Sequence, residues 1–225
     1  MNKGTNTTKK SWEDLTVADV IKIREIGELQ LLSDDEKNMQ VASLLAGIPY
    51  GDMLMKPLDE VREIMDNTEF LLHPPVPGKA RSKYVLNGTT YTLFKDPSEM
   101  TVAQFIDYQQ IYREGFDKMP AEMLSIFLVP RGHEYNDGYD KQQQLDDMLL
   151  MPITDALGVC DFFARRCLKS IERMRMFSMA TIKVQRLLAP KSKKEMLKAM
   201  EIQLGLIMDE LRELYGSLAS KPSRT

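Results

Sequence analysis

Tyr84-Val-Leu-Asn87-Gly88-Thr-Thr-Tyr91-Thr-Leu-Phe94 holds two short β-rich runs either side of an Asn-Gly pair. Both central residues of a tight type I′ turn need positive φ, which Asn and Gly tolerate best, so this is the strongest local signal for a hairpin. A two-residue turn sets Leu86 opposite Thr89 and Tyr84 opposite Tyr91. Tyr84, Leu86, Tyr91 and Leu93 then share one face. A lone hairpin is marginal in water, so that face must pack on helices or on a partner. Everything around it has helical punctuation. The fold class expected is therefore mainly α: a helical bundle with one small β-hairpin at about 82–95 and a long C-terminal antiparallel two-helix hairpin.

Upstream, Thr16-Val-Ala-Asp19 is a capping box opening a helix to about Leu31, and Ser33-Asp-Asp-Glu36 opens a second, stopped by Gly47 and Pro49. A third helix fits Leu58 to Phe70, with Pro57 at its first turn. His73-Pro-Pro-Val-Pro-Gly78 fits neither helix nor central strand and reads as an extended linker. Downstream, helices fit Val102 to Phe116, Ala121 to Leu128 and Lys141 to Leu150. A polar, aromatic-bearing loop covers Pro130 to Tyr139.

From Ile153 the helical pattern runs to Leu188. Ala189-Pro190-Lys191 breaks it, and Ser192-x-x-Glu195 caps a final helix. Leu197, Met200, Leu204, Ile207, Leu211, Leu214 and Leu218 follow a 3,4 spacing, which is a coiled-coil seam. A short turn between long helices makes an antiparallel hairpin the default, with pairing to another subunit as the alternative. The organisation expected is a disordered arm at 1–11, an N-terminal helical unit at 12–72 and a Pro-rich linker at 73–80. A β-hairpin plus second helical unit then covers 81–152, the helical hairpin 153–219 and a tail 220–225.

Two segments echo each other. Asp14 to Ile23 lines up with Glu99 to Tyr108, Ala42 to Pro49 with Leu124 to Pro130, and Met55 to Val61 with Met151 to Leu157. Three features recurring in one order point to an internal duplication, which suits a clamp or adaptor.

Hydrophobic residues make up 43% and charged residues 28% of the 225, a globular balance. The net charge of −3 conceals an asymmetry: 165–198 carries eleven Lys/Arg against two Glu, leaving 19 basic against 31 acidic residues elsewhere. An acidic body with a basic helical arm suggests charge-guided docking. Arg165, Arg166, Lys169, Arg173, Arg175, Lys183 and Arg186 form that basic face. They could also follow nucleic-acid phosphates, but the aromatic interleaving is thin, so a nucleic-acid partner ranks below a protein. Sixteen methionines suit adaptable surfaces as well as a core.

Met1 to Lys10 has no apolar run of the signal-peptide kind, and no stretch approaches the 18 or so apolar residues of a membrane span. Cys160 and Cys167 lie two helical turns apart, roughly 10 Å, too far to bridge, so both read as reduced core residues. His73 and His133 have no metal-ligand spacing around them. No phosphate-binding glycine loop or nucleophile elbow occurs. The reading is of a non-enzymatic protein with no cofactor and no metal. Its candidate partner anchors are Tyr84, Tyr91, Tyr135 and Tyr139, since Tyr is enriched at interface hot spots.

The segment Ser33 to Val61, a capped helix ending Ala42-Ser-Leu-Leu-Ala-Gly-Ile-Pro49 and then Met55-Lys-Pro-Leu-Asp-Glu-Val61, resembles the helical core of bacteriophage tail assembly chaperones. The Asn-Gly hairpin followed by Met100-Thr-Val-Ala-Gln-Phe-Ile-Asp-Tyr-Gln109 is similar to small late-gene proteins of phages of gut Bacteroides-type hosts. The resemblance spans roughly 12–165 and rests on hydrophobic positions and breakers. It implies a virion-assembly protein acting in the host cytoplasm on tail, tape-measure or portal-region proteins, with self-association a further option. The long helical hairpin goes beyond that family's short helical domain and keeps open a structural or cargo role within the virion.

Overall fold

The computed structural model describes residues 11–94, 96, 99–114 and 120–166, together with positions 169, 198, 201, 202, 205, 206 and 209. The heptad seam (Leu197, Met200, Leu204, Ile207, Leu211, Leu214, Leu218) and the turn of the expected helical hairpin lie outside the described residues. So do Arg173, Arg175, Lys183 and Arg186. Within the described part the chain is mainly helical with a small antiparallel sheet.

The helices are α1 (Val17–Glu28), α2 (Asp34–Ala46), α3 (Tyr50–Leu54), α4 (Leu58–Asp66), α5 (Val102–Glu114), α6 (Pro120–Phe127) and α7 (Lys141–Leu149). An eighth, α8, is helical over 153–166. The capping boxes at Thr16 and Ser33 form as expected, while the one at Ser192, like Cys167, lies outside the described residues. Thr16 accepts from the Asp19 N–H while Asp19 accepts from the Thr16 N–H, and Ser33 and Glu36 repeat the arrangement. Gly47 ends α2 in the left-handed region, with φ of 64°, where a Cβ would be strained. Helix α1 stops at Glu28, short of Leu31. Helix α4 ends at Asp66 and is followed by a 3-10 turn at Glu69–Leu72 rather than reaching Phe70.

Strands β1 (Lys83–Leu86) and β2 (Thr89–Leu93) pair with Tyr84 opposite Tyr91 and Leu86 opposite Thr89, the expected register. Asn87 and Gly88 both have positive φ (47° and 83°), as a type I′ turn requires. Tyr84, Leu86, Tyr91 and Leu93 are all buried. A third strand, β3 (Leu128–Pro130), was not anticipated. It follows α6 directly and pairs antiparallel with β2, so the sheet order is β1-β2-β3. Pro130 cannot donate to a ladder and sits at the end of an edge strand, where that costs nothing.

The main core gathers the inner face of this sheet, α6, α7 and α8. Phe127 and Phe163 stack with centroids 4.0 Å apart, and Tyr108 and Phe94 pack around them. The extended segment 73–80 is docked on this core. The Gly78 N–H donates to the Thr154 carbonyl at 2.8 Å, and Gly78 crosses α8 at Gly158, where a Cβ would run into the Gly78 carbonyl. Trp12 holds the other end of the segment, its Nε1–H donating to the His73 carbonyl at 2.9 Å.

A second, smaller core holds Ala42, Met53 and Val61, with Met39, Ile48, Ile64 and Met65 around it. Its pattern recurs in the main core. Aligned on the prolines, Asp52-Met-Leu-Met-Lys-Pro57 matches Asp147-Met-Leu-Leu-Met-Pro152, and the backbone repeats too. Met55 N bonds Asp52 O at 3.2 Å and Lys56 N bonds Met53 O at 3.2 Å. Leu150 N bonds Asp147 O at 3.1 Å and Met151 N bonds Met148 O at 3.2 Å. Met53 and Met148 are both fully buried. Ala42 and Val61 align with Leu124 and Ala156, so the larger of the two core side chains lies on α4 in the first unit and on α6 in the second. The two pairs differ by a single methylene, close to a volume-conserving exchange.

Candidate partner-binding surface

Of the four tyrosines expected at an interface, two point the wrong way. Tyr84 and Tyr91 lie on the inner face of the hairpin, which packs on helices of its own chain, and they are buried. The Tyr91 hydroxyl donates to Asp147 Oδ2 at 2.6 Å. The Tyr84 hydroxyl accepts from the Arg81 N–H at 2.8 Å, and the Arg81 guanidinium lies over its ring. Burial raises both phenol pKa values, and for Tyr91 the Asp147 carboxylate adds to the effect.

Tyr135 and Tyr139 are half-buried in the loop between β3 and α7. The Tyr135 hydroxyl donates to Asp107 Oδ2 at 2.8 Å, tying the loop to α5, and burial followed by that bond pushes its pKa up. The Tyr139 ring meets His133 edge-on at 5.9 Å, and its hydroxyl accepts from the Asn136 N–H. This loop walls an open groove of about 650 Å³ whose lining includes Phe94, Thr101, Gln104, Arg131, His133 and Tyr135.

The basic face begins as α8 leaves the core. Arg165, Arg166 and Lys169 are exposed. Arg165 pairs with Asp161 one turn back at 2.7 Å. Arg166 approaches Asp96 at 3.9 Å and covers the Phe162 ring. The second of these contacts joins the start of the arm to the body. Cys160 is half-buried against the main core, and burial raises its thiol pKa, which suits a packing residue rather than a nucleophile.

Periodicity reading missed the exposed apolar groups. Leu54, Met55 and Leu58 protrude around Pro57, and Val102, Phe105 and Ile106 form an outward stripe on α5. The sequence carried their signal: i, i+3, i+4 apolar spacing on a helix whose opposite face, Gln104, Tyr108 and Ile111, already turns to the core.

Among the described residues no group of three or more His, Cys, Asp or Glu is arranged to hold a metal ion. No helix among them is long and apolar enough to cross a membrane. No family model, curated protein or solved structure matches the chain.

Proposed function

We propose that this chain is a non-enzymatic assembly protein that works by protein–protein contacts, in the manner of bacteriophage tail assembly chaperones, within the host cytoplasm. The observation that carries the reading is the doubled helical unit. One core pattern, with its Asp-Met-Leu turn and proline-started helix, is built twice in a single chain. A repeated unit presents related surfaces side by side, which suits an adaptor that holds several subunits or a long segment of one partner. The resemblance of Ser33 to Val61 and of the hairpin region to phage late-gene proteins supports the same reading. So does the basic stretch after Arg165 on an otherwise acidic chain.

The partners proposed are a tape-measure protein or tail-tube subunits. Co-expression with those proteins from the same genome tests this. The expected result is a soluble complex that survives gel filtration, with a tape-measure protein that precipitates when expressed alone. Absence of any complex with either partner would overturn the reading. Portal-region or cargo placement inside the virion is the competing role, favoured by the 3,4 spacing of Leu197 to Leu218.

A further inference from the structure

The two repeated units meet within one chain through a particular contact. The residues just before α1 run antiparallel to the proline turn before α8. Val17 N–H donates to the Met151 carbonyl at 2.9 Å, and Ile153 N–H donates to the Leu15 carbonyl at 2.8 Å. Leu15, Val17, Met151 and Ile153 are buried there, and Val20 and Ile21 pack against the same core. The leading edge of the first unit is thus seated on the proline turn of the second.

The repeat supplies the same two halves again, without each other. The counterpart of Leu15-Thr16-Val17 is Met100-Thr101-Val102, and Thr101 and Gln104 reproduce the Thr16–Asp19 capping box, with Thr101 N–H on Gln104 Oε1 at 2.9 Å. The counterpart of Met151-Pro152-Ile153 is Lys56-Pro57-Leu58. Val17 is 1% exposed but its counterpart Val102 is 77% exposed, and Phe105 and Ile106 stand out where Val20 and Ile21 are half-buried against the core. Ile153 is 7% exposed but its counterpart Leu58 is 74% exposed, with Met55 beside it at 86%. Each exposed half is the homologue of a half that is covered inside the chain.

We infer that these two faces are complementary to each other and that a second copy of this chain covers them. The start of α5 in one molecule seats on the proline turn around Pro57 of the next, repeating between chains the contact made within each. Within one chain these two faces do not cover each other, since both stand exposed in the folded molecule. Two different faces meet, so the contact either propagates head to tail or closes on itself, as a ring or a reciprocal pair. It lacks the effective concentration that the covalent connection gives the internal copy, so it depends steeply on protein concentration. The inference holds whichever partner the chain serves and stands apart from the phage reading.

The test uses the full-length protein and two surface variants, Met55→Asp/Leu58→Asp and Val102→Asp/Ile106→Asp. All four positions are exposed, and unchanged far-UV circular dichroism and thermal midpoint establish that each variant folds. Sedimentation velocity across a wide concentration range should show the wild type passing from monomer to dimers or larger oligomers. Each variant alone should stay monomeric at concentrations where the wild type is mostly assembled. An equimolar mixture of the two variants should give a one-to-one pair and nothing larger, because each keeps one intact face.

A wild type that stays monomeric throughout overturns the inference. Oligomers that persist in both variants also overturn it and move the contact elsewhere, the heptad seam being the first place to look. A mixture in which no pair forms overturns the complementarity.

Discussion

Tyr91 and Asp147 are both sealed from solvent, and the tyrosine hydroxyl bonds the aspartate across 2.6 Å between strand β2 and helix α7. Asp147 Oδ1 has no hydrogen-bond partner among the described residues, so the phenol is the carboxylate's principal partner. Removing it in Tyr91→Phe leaves a buried acceptor less satisfied and should cost about 2 kcal/mol. Urea denaturation of the variant against wild type checks the value.

The same pair sets an alkaline limit. Burial first, and the bond to Asp147 second, raise the Tyr91 phenol above its ordinary 10.0 in the folded state. A group with a raised folded pKa contributes stability that is whole below its unfolded pKa and is lost as pH rises through the folded value. The thermal midpoint should therefore hold steady up to about pH 9, where the buried Cys160 thiol begins to cost, and decline more steeply above about pH 10. Tyr91→Phe should soften the decline above pH 10, with the remainder carried by Tyr84, Tyr135 and Cys160, which burial raises as well.

Two glycines should respond in opposite directions. Gly158 faces the Gly78 carbonyl, so Gly158→Ala must push the docked segment 73–80 off α8, at a cost of about 2 kcal/mol. Limited proteolysis should then cut within 73–80 earlier than in wild type. Gly27 lies in α1 with open space where a Cβ would sit. Gly27→Ala should stabilise by about 0.5 to 1 kcal/mol through helix propensity. Equal and opposite shifts in urea midpoint are not required, but opposite signs are.

The swap of large and small residues between the two cores is testable by repacking. Ala42→Leu places the second unit's residue in the first unit's core and should destabilise by about 1 to 3 kcal/mol through overpacking. Adding Val61→Ala, the other half of the second unit's pattern, should recover part of that loss. A double-mutant cycle with no favourable coupling would mean that the two cores are not built alike.

Much of this was legible before any coordinates. Residue pairs within a few positions of one another carried it: Asn87-Gly88 with its alternating neighbours, Thr16 with Asp19, Ser33 with Glu36, and Gly47 ending α2. Such signals are local, and local chemistry sets them. Strand β3 escaped because three residues closed by Pro130 carry no period of their own; their partner in β2 lies 37 residues upstream by the Thr92–Val129 pairing. Helix α3 escaped for a similar reason, its five residues being flanked by Pro49 and broken by Gly51.

For the surface, the aromatic criterion picked out Tyr84 and Tyr91. It could not tell an inward face from an outward one without knowing what covers the hairpin. The apolar residues left uncovered became visible only when the two units were compared position by position.

An assembly protein that acts and then leaves is told from a virion component by counting its copies in two places. Quantitative mass spectrometry of infected-cell lysate and of purified mature particles gives both numbers. Abundant protein in the lysate and essentially none in the particles is the expected result. Many copies per particle, at a fixed ratio to a tail or portal subunit, would contradict it and make the chain a component of the virion.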